Sequence, residues 1–505
     1  MRRFVIMAIF AAMLLSAISC GESQKAGNAN DLSVSNEPND PASENNQGEQ
    51  EEATSETRVL SEAPEKDFEG YEYRILSRGE SYALWEGVDA YSEEENGDPI
   101  NDSVYLRNRI IEDRYNIRIA NKPSSDILPS AKKAIAANTD EYDILMGALN
   151  GFAETLSMEG MLANLKNVPY LDLEKPWYDQ KANEQLAIAN KLYVTISDIG
   201  IVDKNATWSY LFNKRLVQDF SLEDPYKLVR DGSWTIDKML EMCKDVSRDV
   251  DGDGIMGMND MYGYAGETYN LYIALLSAGS ELIKKDENDL PVYVGLDDMG
   301  VTVFLKLMAM FGDKTLTLRA DDYYSSGKEV WGGNGVMDTA FKEDRILFFD
   351  TSMARVTFYR NMESDFGIIP PPKRDAAQAD YISTVSVRST NSLAIPVTVS
   401  DFERTGIITD ALAAESRYRV IPAYYEVQLK TKYARDDESA EMLDIIFAGR
   451  KFDVGLLYNW AGLTSKFEEA MQKNSADITS SLEKIQDKII AAIDKTVAAY
   501  ENFSN

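Results

Sequence analysis

From Tyr71 onward the chain alternates strand-type and helix-type segments, and this alternation limits the folds open to it more than any other feature. Tyr71-Glu-Tyr-Arg-Ile-Leu-Ser77 has the period of a strand, and Val104 to Tyr115 repeats its apolar residues at helical spacing. Ile117-Arg-Ile119 is a short strand, Asp143-Ile-Leu-Met146 a buried one, and Lys191 to Ile199 a further strand region. Parallel strands need crossover helices, so the pattern predicts α/β architecture with mainly parallel sheets. Gly232-Ser-Trp-Thr-Ile-Asp237 opens a helix with Thr235 as N-cap and Trp234 stapled to Met239. Its apolar stripe is Ile236, Met239, Leu240, Cys243 and Val246. The chain closes on a helical stripe of Ile478, Leu482, Ile485, Ile489, Ile493 and Val497, and no internal repeat is visible.

Composition narrows the chemistry. The 505 residues carry 84 acidic against 52 basic side chains, a net charge of −32. A phosphate backbone selects basic surface, so nucleic acid is not expected as a partner. There is no histidine. Ser–His and Cys–His nucleophile pairs, His-ligated zinc and imidazole acid–base catalysis are therefore absent. Carboxylates, Tyr and Lys remain as catalytic groups, and the bias is towards binding, with no organic cofactor.

The N-terminus points to export. Arg2 and Arg3 precede an apolar run, Phe4 to Leu15, that has the length of a signal-peptide core and is too short to span a bilayer. Ile18-Ser19-Cys20-Gly21 follows and resembles a bacterial lipobox, with Ala17 where Leu is usual. Residues 1–20 are thus expected to be a lipoprotein signal with Cys20 as its lipidated end; an ordinary secretory signal with an incidental cysteine is the other reading. The remaining cysteine, Cys243, sits on an apolar stripe and reads as core, so the processed chain has no intramolecular disulfide. Residues 21–65 hold eleven acidic residues against Lys25 and Arg58 and no aromatic, which predicts a disordered, self-repelling tether.

Asp249-Val-Asp251-Gly-Asp253-Gly254-Ile255-Met-Gly257-Met-Asn-Asp260 follows the twelve-residue calcium-loop template. Asp249, Asp251 and Asp253 occupy positions 1, 3 and 5, and Gly254 supplies the sharp turn at position 6. Ile255 would offer its carbonyl and Asp260 the acid at position 12, one methylene shorter than the usual Glu. Two readings fit: a structural Ca2+ clip, or a solvated Asx/Gly turn.

Three stretches in order resemble the extracellular solute-binding lipoproteins of carbohydrate ABC transporters, the maltose-binding-like family 1. They are Lys191 to Asp198 followed by Tyr210-Leu-Phe-Asn213-Lys214; Gly232 to Asp237 leading through the 249–260 loop to Tyr262-Gly263; and Asp365-Phe-Gly-Ile-Ile-Pro370 followed by Asn391-Ser-Leu-Ala-Ile-Pro396. The resemblance implies a two-lobed periplasmic-binding-protein-like fold with a hinge and an interlobe cleft. Lobe one would be 66–203 plus 385–420, and lobe two 204–384 plus 421–505. It also implies a monomer, held by its N-terminal lipid on the extracellular face of the bacterial membrane. There it would capture a sugar or oligosaccharide and deliver it to permease subunits, without covalent chemistry.

In such a fold ligand residues sit at the C-terminal ends of strands. These are Arg78, Glu80, Tyr82 and Trp85 after the first strand, and Asn150 after Met146. Asp198 and Trp208 lie at the first crossing, and Asp350 and Thr351 after Phe349. Trp177-Tyr178, Trp331 and Tyr458-Asn459-Trp460 add aromatic pairs, and sugars present an apolar face to flat rings. Arg78, Trp85, Asn150, Asp198, Trp208, Asp350 and Trp460 are the expected ligand residues, with Trp85, Trp208 and Trp460 as stacking platforms. The competing function is a secreted glycoside hydrolase using a carboxylate pair; no local signature singles one out. A surface scaffold would show repeats or β-rich modules, which are absent.

Overall fold

The computed structural model describes residues 58–330, 333–359, 361–425 and 437–503. The chain divides into two units, 1–57 and 58–505, and every described residue lies in the second. Cys20, Trp331 and most of the expected tether fall outside the described residues.

Nine strands among the described residues build two sheets: β1 (Tyr71–Arg78), β2 (Ile117–Ser124), β3 (Ile144–Ala148), β4 (Trp208–Asn213), β5 (Tyr262–Gly266), β6 (Thr317–Arg319), β7 (Ile346–Ser352), β8 (Phe366–Ile369) and β9 (Asn391–Ala394). The first sheet runs β9-β3-β1-β2 and the second β8-β4-β7-β5-β6. β1 is parallel to β2 and β3, and β5 is parallel to β6 and β7. β9, β4 and β8 run antiparallel to their neighbours. The expectation of mainly parallel sheets therefore holds for four of the seven ladders, β1–β2, β1–β3, β5–β6 and β5–β7. β9 enters directly from a chain crossing between the sheets, and β4 follows the single helical turn Val202–Asn205 that lies in the other crossing.

Successive residues of β1 point to opposite faces, and helices cover both. Tyr73 and Ile75 pack with Ile111 and with Ile407 and Leu412 of the helix Phe402–Ala423, while Leu76 packs with Ile127 and Ala131. Two covered faces are what a parallel ladder requires. The second sheet repeats the plan: Tyr210 and Phe212 pack with Trp234 and Met239, and Leu211 with Phe341 and Phe349.

Local signals set the helix ends. Thr235 accepts from the Lys238 amide and caps the helix Ile236–Val246, as its position predicts. Trp234 is buried and donates its indole N–H to the Pro370 carbonyl at 2.9 Å. Gly263 lets this helix lie directly on β5, since a Cβ there would come within 2.3 Å of the Cys243 Cα. Cys243 is accordingly buried, and burial raises its thiol pKa, as expected of a core cysteine.

Three expectations are corrected. Lys191 to Ile199 forms no ladder; it makes isolated bridges, Thr195 to Leu393 and Ser197 to Tyr178, because it leaves the first sheet on its way to the second. Residues 58–65 are not free tether. Arg58 pairs with Glu415 at 2.5 Å, Ser61 donates to Asp410 and Ala63 is buried, so this polar segment lies on the 402–423 helix through side-chain bonds that composition does not reveal. The C-terminal stripe is carried by two helices, Thr479–Glu483 and Gln486–Asn502. The end of the second reaches the segment that precedes the first crossing: Tyr500 meets Tyr193 edge-on at 4.9 Å, and Lys191 donates to the Tyr500 carbonyl at 2.6 Å.

Candidate functional site at the strand ends

Parallel ladders bring their C-terminal ends to one edge. In the first sheet these are Arg78, Ser124 and Ala148, beside the start of antiparallel β9 at Asn391. In the second they are Gly266, Arg319 and Ser352, beside the start of antiparallel β4 at Trp208. The chain passes between the sheets along two adjacent crossings. The Thr207–Val385 bridge and the Ser386 N–H to Ala206 carbonyl bond at 2.9 Å hold them together. Residues 385–391 thus run past both strand-end edges.

Arg78 is buried and donates to the Ser389 carbonyl at 2.8 Å and the Thr390 carbonyl at 3.0 Å. Burial lowers its pKa to about 10. Its donors fasten the second crossing to β1, so it is a clamp and not the ligand contact its strand-end position predicts. Trp85 closes the 3-10 helix Glu80–Trp85 and is half-buried against the core. Asn150 is half-buried. Its amide N–H donates to the Val387 carbonyl at 2.9 Å and its side chain to the Leu457 carbonyl at 2.8 Å, joining the crossing to the C-terminal segment.

Trp208 is buried at the start of β4 and meets Tyr269 edge-on, with ring centroids 6.3 Å apart. Asp350 and Thr351 do not follow β7; they lie within it and are buried. Asp350 accepts from the Tyr210 hydroxyl at 3.0 Å and the Tyr264 hydroxyl at 2.9 Å. Burial pushes its carboxyl up to about 7, against the opposing effect of Tyr264, Tyr210 and Trp208. Asp350 therefore underpins the second-lobe edge from inside and holds no open face to a ligand.

Asp198 and Trp460 are engaged elsewhere. Asp198 lies 3.4 Å from Lys204 and 3.5 Å from Arg417, beside a cavity of about 300 Å³ lined by Tyr178, Tyr425 and Arg450. Its ion pairs belong to the crossings, and burial raises its pKa. Trp460 is buried, stacked on Tyr458 at 4.9 Å and 7°, and donates to Thr496 at 2.9 Å. One ring face and its N–H are taken, so it is a core tryptophan and Tyr458 is the half-buried member of the pair. Trp177 and Tyr178 are likewise core residues, both donating to Asp410.

Sequence reasoning missed the group that stands most openly at this edge. Tyr269 follows β5 and is half-buried; the exposed Arg388 places its guanidinium carbon 4.4 Å from the Tyr269 ring centroid. Glu267 and Glu468 act electrostatically on the same ring. Burial raises the Glu267 carboxyl pKa, and its side chain accepts from Tyr324 at 3.0 Å. A signal was available: the strand-end rule applied to Tyr262-Gly-Tyr264 leads straight to Glu267 and Tyr269.

In the 249–260 loop, one carboxylate oxygen from each of Asp249, Asp251 and Asp253 lies within 4.8 Å of the others, and all three residues are exposed. Gly254 has φ of +81°, the left-handed turn that position 6 requires. This convergence of hard oxygen donors fits a divalent cation. Asp260 differs from the template: it is buried and accepts from the Val250 amide at 2.8 Å and the Gly257 amide at 2.6 Å, closing the loop on itself. The donors that fit are therefore the three aspartates, with Ile255 able to add only its carbonyl.

Residues 112–406 match the family of bacterial extracellular solute-binding proteins. The chain belongs to that family. Its fold is similar to solved structures at low identity. One is a cyclic α-maltosyl-1,6-maltose-binding protein from Arthrobacter globiformis, at 14% identity and a TM-score of 0.54, covering 86% of this chain and 100% of the other. An ABC substrate-binding protein from Listeria monocytogenes in complex with cycloalternan has 10% identity and a TM-score of 0.51, covering 87% and 100%. A sugar transporter from Rhizobium etli in an open conformation has 12% identity and a TM-score of 0.52, covering 86% and 100%. No curated protein matches. The solute-binding protein thus has the two-lobed α/β fold of this group, and the family is extracellular and built to bind.

Proposed function

We propose that this chain is the substrate-binding component of an ABC importer, which captures a sugar or oligosaccharide between its lobes and delivers it to a membrane permease. The observation that carries the reading is the meeting of both strand-end edges on residues 385–391, where Trp208, Tyr269 and Arg388 combine aromatic surface with a polar fork. Carbohydrates need that mixture, since they offer an apolar C–H face and a rim of hydroxyls. The ligands named for the Arthrobacter and Listeria relatives are cyclic oligosaccharides, which supports the same class here. Neither the family nor these relatives lend support to glycosidic hydrolysis.

In this reading Trp85, Asn150 and Trp208 are contacts or direct supports of the cleft, and no covalent step occurs. Cys20 carries the lipid that holds a monomer at the outer membrane face, and the 249–260 loop is a calcium clip within lobe two. Calorimetric titration over an oligosaccharide panel, with product analysis of the same mixtures, tests the function. Binding with intact sugar is expected; new reducing ends would overturn it.

A further inference from the structure

The turn 188–191 grips two other elements at once. Ile188 and Lys191 exchange N–H···O=C bonds at 3.0 Å, and Ala189 and Asn190 between them have φ of +52° and +59°. Asn tolerates the left-handed region, but at Ala189 it carries strain. In this conformation both amides reach Asp289. Ala189 donates to its carbonyl at 3.1 Å and Asn190 to its carboxylate at 3.0 Å. Asp289 sits at the tip of the hairpin formed by Ile283–Lys285 and Pro291–Tyr293. The Lys191 ammonium holds the other element, the end of the helix Gln486–Asn502. It donates to the Tyr500 carbonyl at 2.6 Å and the Phe503 carbonyl at 2.5 Å. The last carbonyls of a helix lack partners within it, and this last turn has no basic residue of its own. The Phe503 ring closes over Gly160, where a Cβ would come within 2.4 Å of it.

These contacts join the bodies of the two sheets. The segment that bears the turn is tied to the first sheet, where Thr195 and Leu393 of β9 exchange bonds at 3.0 and 2.8 Å. The hairpin follows the helix Asn270–Ser277 that leaves β5, and Tyr272 of that helix packs on Phe467 at 5.1 Å. Lys191, Asp289 and Phe503 all lie away from the strand-end edges.

We propose that the 188–191 turn is a latch between the lobes, caught by Asp289 on one side and by the helix end at 500–503 on the other. It sets sugar affinity by holding the lobes together without touching the ligand. The inference rests on the capture of sugar between the lobes argued above. Opening must part the bonds of Ala189 and Asn190 to Asp289 and those of Lys191 to Tyr500 and Phe503. Water replaces each of them, so each contributes modestly and their sum biases the equilibrium towards the closed form. Observed affinity scales with the fraction of ligand-free chain that is already closed.

The test compares the full chain with Lys191→Met, which keeps the aliphatic stem, Lys191→Arg, which keeps the donors, and Asp289→Ala, which reads the latch from its other side. Small-angle scattering without ligand should give a larger radius of gyration for Lys191→Met and Asp289→Ala than for the parent and Lys191→Arg. Hydrogen exchange at the Ala189 and Asn190 amides should quicken by about tenfold or more in Lys191→Met, with cooperative melting retained. Calorimetry with neutral gluco-, galacto- and manno-oligosaccharides should show every binder weakened by a similar factor, about three- to tenfold, in unchanged order. An unchanged radius of gyration, affinities within about twofold of the parent, or weakening confined to one sugar overturns the latch and leaves sugar capture in place. If the parent binds no sugar of the panel, the carbohydrate reading and the effect on affinity fall together, while scattering and exchange still decide whether the turn holds the lobes.

Discussion

Arg450 Nη1 lies 2.5 Å from Asp203 Oδ2, an ion pair that ties the C-terminal segment to the first crossing between the lobes. Arg450 also pairs with Asp179; Lys204 lies 3.3 Å from Asp203 and 3.4 Å from Asp198, which Arg417 approaches at 3.5 Å. Three cations and three carboxylates thus balance around the crossings. Asp203, Lys204 and Asp198 are buried, so loss of one charge strands its partners out of water. Asp203→Asn should lower the unfolding free energy by about 3 kcal/mol, the scale for breaking a buried pair. Urea denaturation reads this directly, and a change under about 0.5 kcal/mol would mean that the network contributes nothing to stability.

Asp350 predicts a pH dependence of the opposite sign to that of an ordinary salt-bridged aspartate. Its native pKa, about 7, lies above the unfolded value near 3.8, so between those limits the native state holds a proton that the unfolded chain releases. Stability should therefore fall as pH rises through that window and level off above it, by up to about 4 kcal/mol for this group alone. Asp350→Asn keeps an acceptor for Tyr210 and Tyr264 and removes the charge. The variant should be flatter than the wild type between pH 4 and about 7 in parallel melts. Equal slopes would show that the carboxyl ionises in the fold at an ordinary pH.

The alternation of strand and helix signals was sufficient for the α/β class, and ordered motifs for the family, because both depend on local pattern and chain order. The strand ends are legible for the same reason. What local pattern cannot give is which side of a strand end a side chain faces. Arg78 and Asp350 sit at or near the right edge, yet each is turned inward by partners far away in sequence, Ser389 and Thr390 for one and Tyr210 and Tyr264 for the other. Trp460 is core where its context suggests a platform, because a buried tryptophan and a stacking platform have the same sequence context; only Tyr458 and Thr496 distinguish them. Arg388 belongs to a crossing, where no periodicity exists to mark it.

Calcium should raise the melting temperature by a few degrees, about 2–5 °C, since an ion bound only by the native loop stabilises by mass action. Asp251→Ala with Asp253→Ala should remove the increment without altering sugar affinity, as both residues are exposed in the 249–260 loop. Asp260→Asn is expected to destabilise the loop with or without the ion, because that side chain accepts from the Val250 and Gly257 amides. Identical midpoints in chelator and calcium would make the loop an ordinary turn.

Cys20 should be the membrane attachment. Replacing it with Ser removes the only cysteine besides Cys243, which is buried. The Ser variant is expected in the soluble fraction and the parent with membranes. Equal membrane recovery of both would place the anchor elsewhere.

The tryptophans separate stability from affinity. Trp460 is enclosed by Tyr458 and Thr496, so Trp460→Ala opens a cavity and removes the donor to the Thr496 hydroxyl, which keeps its own bond to the Ala492 carbonyl; the cost should be about 3–5 kcal/mol of stability. Any loss of sugar affinity should then track unfolding. Trp85 is half-buried after β1, so Trp85→Ala should cost less stability and about 2 kcal/mol of binding, the scale of a hot spot. Trp208 stands between these cases. Its ring supports Tyr269 edge-on, and its buried indole N–H has no hydrogen-bond partner among the described residues, so truncation removes a wall of the Tyr269 site. Trp208→Phe keeps the wall and loses the N–H. It should bind sugar within about threefold of the parent and melt no lower, because the N–H it removes is buried without a partner. Calorimetry and melting of the two Trp208 variants distinguish these roles. If Trp208→Phe loses affinity as fully as Trp208→Ala, the indole N–H itself contacts the ligand, and its assignment as support for Tyr269 falls.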